Sequence, residues 1–255
     1  MSKQKPNLFH DSKVMFKRCM KIALRNPEAL VQATVTPIFL MLMFAAVFGN
    51  ITDVGVNYVD FILPGIILQA VAQATQYTAI NVNTDMTKGI IDRFRSMPLA
   101  KSALLIGHTG ASVVRNVMTT AVIIGTAFIV GFRPQAGFID WLIITGVLLL
   151  SVTAITCFAV LCGLRAKSPE GASGLMFPLF ILPFISSGFA PTETMHKAIR
   201  WFAEYQPMTP IINAVRALML GYPPGNDLWI ALAWTSGTAI LSFAFAVRRF
   251  KRKIV

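Results

Sequence analysis

Apolar and polar positions come in long blocks along this chain. Six apolar stretches, at roughly 29–49, 61–82, 110–131, 139–163, 173–190 and 228–247, are separated by shorter polar segments. A helix needs about 20 mostly apolar residues to cross the hydrocarbon core of a bilayer. The pattern therefore predicts an all-α, polytopic membrane protein with six transmembrane helices. Proline interrupts two of the stretches, at Pro37 in the first and at Pro178 and Pro183 in the fifth. Such breaks are tolerated in spans whose neighbours re-satisfy the freed carbonyls. The fifth is the shortest and runs into Ser186, Ser187 and Gly188.

Three of the polar segments carry helical periodicity of their own. From Asp11 to Arg25, Val14, Met15, Cys19 and Ile22 share one side, while Lys13, Lys17 and Lys21 recur every fourth position on another. Asn26-Pro27 ends the segment, because proline disfavours helix in the residue before it. This is an N-terminal interfacial helix, its basic face turned to anionic headgroups. Between Thr192 and Gly221, Met195, Ile199 and Phe202 form one stripe, and Arg200 can pair with Glu204 one turn on. Thr209 followed by Pro210 reads as a helix start and Gly221 as a helix stop. Two short amphipathic helices are predicted there, on or in the outer leaflet before the last span. The third segment, "TKGIIDRFRSMPLAKS" from Thr87 to Ser102, follows the second apolar stretch. Asp85 is placed to cap a helix ending before Pro98. Met86, Ile90, Phe94 and Met97 form its apolar stripe, with Lys88, Asp92, Arg93 and Arg95 off it.

Composition agrees with the blocks. The chain has 255 residues, 55% of them hydrophobic and 13% charged, against about 25% charged in soluble domains. It reads as one membrane domain over residues 1–255, with no soluble domain appended. The net charge of +12 is concentrated in the N-terminal segment, the loops after the second and fourth stretches, and the C-terminal tail "VRRFKRKIV". Only Arg133, Lys197, Arg200 and Arg216 fall on the opposite side, with Arg115 near the start of the third stretch. By the positive-inside bias, both termini face the cytoplasm and the chain is multi-pass in its membrane. The basic balance is thus a matter of topology, and nucleic acid is not a partner. Cys19, Cys157 and Cys162 are odd in number and without paired spacing, so they read as packing residues.

Catalytic signatures are scarce. No G-x-x-x-x-G-K-[ST] phosphate loop and no HExxH zinc motif occurs, and His10, His108 and His196 lie in different segments. "GASG" at Gly171–Gly174 matches the G-x-S-G of intramembrane serine proteases. A serine nucleophile needs a base, yet residues 228–247 hold no histidine and His196 falls on the far side from Ser173. Small residues at a helix contact explain it better. All eleven acidic residues fall in loops or near span ends. That disfavours an ion-coupled carrier and points to an external energy source. In the second stretch, Gln69, Gln73 and Gln76 share a stripe beside Tyr77. They should face a substrate path or, equally, hydrogen-bond a neighbouring helix. Phe177, Phe180 and Phe184 of the fifth stretch could form the apolar side of such a path.

The block "GIIDRFRSMP" after the second stretch and "RWFAEYQPMTPIINAVRALMLG" before the sixth, set in six spans, resemble the ABC type-2 exporter permeases. The likeness is nearest to the daunorubicin-resistance type of multidrug exporter subunit and covers nearly the whole chain. Asp92–Pro98 and Asn213–Gly221 carry it. The resemblance implies a permease that is not itself an enzyme and needs no cofactor. It pairs with a second permease subunit, as homodimer or heterodimer, and with two ABC ATPase subunits that hold ATP and Mg. It also implies that the first cytoplasmic loop and the N-terminal helix touch the ATPase. On this chain the coupling residues would be Asp85, Met86, Ile90, Asp92, Arg93, Phe94, Arg95 and Met97. Many relatives carry a Glu-rich form of that loop, and here its acids are Asp85 and Asp92. The cargo expected is an amphipathic drug or antibiotic. Alternatives are a permease of the same superfamily for a lipid or polysaccharide, and a membrane enzyme acting on lipid-linked substrates. The enzyme would need acids or a nucleophile converging at one depth.

Overall fold

The computed structural model describes residues 7–49, 55–87 and 102–254. Nine α-helices lie among them: α1 (Leu8–Leu24), α2 (Pro27–Phe48), α3 (Tyr58–Thr87), α4 (Ala103–Val130), α5 (Phe138–Arg165), α6 (Pro169–Ile181), α7 (Lys197–Tyr205), α8 (Met208–Met219) and α9 (Gly225–Ile254). Two 3-10 turns, Leu182–Ile185 and Thr192–Thr194, complete the order.

Local chemistry sets most of the ends. The Asn7 side chain accepts hydrogen bonds from the Phe9 and His10 amides and starts α1 earlier than the periodicity indicated. Gly221, at φ +75°, follows the end of α8. The Tyr222 amide donates to the Ala217 carbonyl and the Gly221 amide to Leu218, which closes the helix in a Schellman turn. Thr209, by contrast, is not the cap. The helix begins at Met208, and the Thr209 hydroxyl donates instead to the Ala203 carbonyl of α7.

Five helices, α2, α3, α4, α5 and α9, are long and apolar enough to cross a membrane. The fifth apolar stretch of the sequence departs from this. It forms the 13-residue α6 and then the 3-10 turn at Leu182–Ile185, so five full-length helices and one short, broken one stand where six spans were expected. Pro183 cannot donate to the ladder, and the Ser186 hydroxyl takes the Pro183 carbonyl while accepting from the Gly188 amide.

α3 is the axis of the bundle. Its whole apolar window is buried, enclosed by α2, α4, α5, α6 and α8. Ile62, Leu63, Ile66 and Ile67 of α3 pack with Ile123, Ile144 and Ile212 in the main core. A second cluster at the opposite end of α3 gathers Met15, Val82, Leu104, Leu105, Leu164 and Phe250. Glycine permits two close crossings of α3. A Cβ on Gly163 of α5 would lie 2.5 Å from the Ala79 carbonyl oxygen of α3, and one on Gly65 would lie 2.8 Å from Gly188 in the turn beyond α6. The outer faces of α2, α4, α5 and α9 are apolar and exposed, at Phe39, Ile129, Ile139, Trp229 and Ile240 among others. A continuous apolar exterior of this kind is a surface for lipid.

Candidate functional site

Polar chemistry gathers at three levels along α3. At the end carrying α1, the carboxylate of Asp85 is held from two sides. Arg18 of α1 donates to both its oxygens, at 2.7 and 2.9 Å, in a bidentate fork. His108 of α4 lies 3.0 Å away through Nε2. Asp85 and His108 are each only 6% exposed. The bond to Asp85 holds the Arg18 guanidinium more firmly protonated than a free arginine. Steric fit accompanies the charge: a Cβ on Gly107 of α4 would lie 2.6 Å from Met15 Cβ, so α1 rests directly on α4. The N-terminal helix is therefore packed against the bundle as well as amphipathic, with Lys13, Lys17 and Lys21 on its exposed side.

This corrects the reading of Asp85 as a helix cap. It lies in the last turn of α3, turned inward, with Met86 packed on the adjoining apolar cluster. Ile90, Asp92, Arg93, Phe94, Arg95 and Met97 lie outside the described residues.

At mid-depth a hydrogen-bonded ladder joins three helices. Arg115 of α4 donates to the Ala74 carbonyl at 2.8 Å and to the Thr78 hydroxyl at 2.9 Å. Thr78 in turn donates to Ser112 at 2.9 Å, and Ser112 lies 3.2 Å from Thr156 of α5. Arg115 is 8% exposed and has no acidic partner among the described residues. Nearby, Asn83 donates to the Gly163 and Ala166 carbonyls and ties down the end of α5.

The glutamine stripe belongs to the same level. Gln69 and Gln73 are buried and joined at 3.4 Å. Gln76 donates to the hydroxyl and carbonyl of Ser173 on α6, so the GASG serine meets an amide. Tyr77 donates to Gln32 of α2 at 2.5 Å. The phenylalanines do not converge on the stripe as a group: Phe177 is 56% exposed, while Phe180 packs on Phe184 and Phe184 stacks on Phe189, with centroids 5.9 and 4.9 Å apart.

The opposite end is tied by Arg216 of α8. Its Nε donates to the Phe61 carbonyl at 2.9 Å, its other nitrogens to Asn213 and to the Ser187 carbonyl, and the guanidinium lies 3.9 Å over the Phe61 ring. Burial pushes it down to about 10, still a cation at neutral pH. Ser187 donates to Asn213 at 2.6 Å, and Gln206 donates to the Leu182 and Ile185 carbonyls. The turn after α6 is thus stitched to α7 and α8. The expected Arg200–Glu204 pair is present at 2.6 Å. No sequence pattern announced the Arg18–Asp85–His108 or Arg216–Asn213–Ser187 groups. A buried arginine inside an apolar stretch, as at Arg115, was the available signal for the ladder.

Among the described residues no three His, Cys, Asp or Glu side chains cluster as metal ligands. The described polar groups bind helix to helix and carry the ends of α3 as anchored points.

A model of the ABC-2 type transporter family matches residues 10–220. Over 238 residues the chain is 31% identical to a daunorubicin resistance ABC transporter permease of Streptomyces coeruleorubidus, covering 92% of this chain and 84% of that protein. A doxorubicin resistance ABC transporter permease of Mycobacterium tuberculosis is 27% identical over 220 residues, with 80% and 74% covered. An inner membrane transport permease of Escherichia coli strain K12 is 25% identical over 222 residues, with 83% and 82% covered.

Proposed function

The chain belongs to the ABC-2 type transporter family, and from that premise we propose that it is the multi-pass permease subunit of an ATP-driven exporter that carries amphipathic drugs or antibiotics out across the cytoplasmic membrane. The observation that carries the cargo class is the 31% identity, over 92% of the chain, to a permease named for daunorubicin resistance. The sequence contains no phosphate-binding loop, so the work comes from partner ABC ATPase subunits holding ATP and Mg. A second permease copy or homologue completes the pair. Both termini lie in the cytoplasm, and α7 and α8 lie at the outer face.

Force enters through Thr87–Met97, a helix seated in a cleft of the ATPase. Phe94 is its central anchor, an aromatic in a small interface, and Arg93 and Arg95 set register against acids of the partner. The Arg18–Asp85–His108 group supports this reading. It fixes the last turn of α3, where the chain leads into that segment, to both α1 and α4. A push on the loop therefore moves three helices together. The surfaces proposed for the cargo are the Gln69–Gln73–Gln76–Tyr77 side of α3, buried at Gln69 and Gln73 in this conformation, and the separate Phe177, Phe180 and Phe184 group.

The test is reconstitution with the cognate ATPase in proteoliposomes, measuring ATP hydrolysis and daunorubicin transport. Drug-stimulated hydrolysis with ATP-dependent transport is expected. Stimulation by a lipid or polysaccharide precursor alone would reassign the cargo. Transport without an ATPase would end the reading. Gln73→Leu and Phe180→Ala should alter the profile of exported compounds at normal expression. An unchanged profile across such substitutions makes the stripe a helix contact only.

A further inference from the structure

Where α5 and α9 end on the side of α1, one cavity of about 270 Å³ is lined by Leu161, Arg165, Phe245, Arg248 and Arg249. Among the described residues, three guanidinium groups and two apolar side chains make up the lining, and no acidic residue takes part. All three arginines are exposed. Like charges gathered in one cavity repel, so the arrangement favours an anion that engages several of them at once. Guanidinium is also the side chain best matched to phosphate oxygens.

The spacing adds a second feature. Leu161 is one turn before Arg165 on α5, and Phe245 is one turn before Arg249 on α9. Each helix thus presents an arginine toward its C-terminus and an apolar residue about 6 Å earlier along its axis. Phe245 is part of the exposed apolar wall of α9. The inner carbonyls at the end of α5, Gly163 and Ala166, are already taken by Asn83, which leaves Arg165 facing outward. A charged band over an apolar band is the profile of a phospholipid, headgroup above and glycerol and acyl chain below. A free phosphate has no use for the lower band. A cytosolic protein would have to reach Leu161 and Phe245, which lie within helices long and apolar enough to cross the membrane.

We propose that Arg165, Arg248 and Arg249, with Leu161 and Phe245 beneath them, form a binding site for the phosphate headgroup of an anionic phospholipid of the cytoplasmic leaflet. The leaflet rests on the orientation proposed above. The binding does not, and a measurement in detergent has no sidedness, so the two can fail separately. The lipid would fasten the end of α9 to α5 and hold the C-terminal tail at the membrane surface.

The experiment titrates purified permease in neutral detergent with short-chain phosphatidylglycerol, with phosphatidylcholine of the same chains, and with inorganic phosphate. Retained lipid is read by native mass spectrometry and the melting temperature is followed in parallel. Phosphatidylglycerol should be retained over phosphatidylcholine. Arg165→Gln, Arg248→Gln and Arg249→Gln should each weaken it about fivefold. A triple Lys13→Gln, Lys17→Gln, Lys21→Gln variant, which removes three charges from α1 against one in each arginine variant, should leave retention at this site unchanged. A photoreactive phosphatidylglycerol on the unaltered protein should label 161–165 and 245–249. Three results would overturn the site: displacement by inorganic phosphate as readily as by lipid, equal weakening in the α1 variant, or labelling confined to other segments. Arginine variants that keep the lipid but lose capture of the ATPase subunit would replace it with a protein contact.

Discussion

Asp85 shows how much one side chain can hold. It compensates two basic groups, Arg18 and His108, in a pocket that leaves it 6% exposed. Removing one member of a buried ion pair costs about 3–5 kcal/mol. Asp85→Ala should therefore lower the melting temperature of the purified permease sharply, and more than Arg18→Ala, since Arg18 is partly exposed. The double variant should lose less than the sum of the two, because both delete the same contact. Strict additivity would mean that the pair contributes nothing as a pair. Gly163 makes a steric counterpart. A methyl there would meet the backbone oxygen of Ala79 at 2.5 Å, whereas one at Gly146 of the same helix meets nothing within 4 Å. Gly163→Ala should destabilise by about 1–3 kcal/mol, while Gly146→Ala should be neutral or slightly stabilising. Denaturation of the two variants side by side decides it.

At the scale of elements, the segment from Thr87 to Met97 is where coupling is proposed. Phe94→Ala should leave a folded permease that no longer captures the ATPase or stimulates hydrolysis. Arg95→Glu should weaken capture more at low salt than at high, because a rim charge is screened. Pull-down with hydrolysis assayed in parallel checks both. Normal binding in both variants would move the contact to α1. The elements themselves were legible in the sequence to differing degrees. Blocks of about 20 apolar residues declare a span through length alone, so α2, α3, α4, α5 and α9 fall where the pattern put them. α6 was harder. Its apolar run continues past Pro183, but the backbone stops being α-helical at Ile181 because a serine and a glycine beyond the proline offer a turn. Thr209 had the right type for a cap, yet a tertiary acceptor, the Ala203 carbonyl, claimed its hydroxyl.

For the whole molecule, the side-chain groups that join helices were not legible, and the reason is distance along the chain. Arg18 and Asp85 are 67 residues apart, Arg216 and Phe61 155. Periodicity reports which face a residue occupies and nothing about which helix meets it. The sequence did show that polar residues sat on α3; only the packing tells that Gln76 meets Ser173 and Tyr77 meets Gln32. Topology remains the prediction proper to this scale. Single cysteines at Ser2 and at Asn226, in a variant freed of Cys19, Cys157 and Cys162, should be labelled from opposite sides of the membrane. Labelling of both from outside intact cells would refute the six-crossing arrangement.

The enclosure of α3 bears on how the protein is made. α3 is the least apolar of the five long helices, with a mean hydropathy of 1.3, and it turns the side chains of Gln76, Thr78 and Asn83 toward its neighbours. The groups that satisfy them, Ser112 on α4, the end of α5 and Ser173 on α6, follow it in the chain. During synthesis α3 leaves the ribosome before these later partners exist. Its polar face cannot settle into lipid alone at low cost. The expected consequence is that the nascent helix stays beside the insertion channel until α4, α5 and α6 arrive, so the central helix of the finished bundle is released into the bilayer later than its place in the chain would suggest.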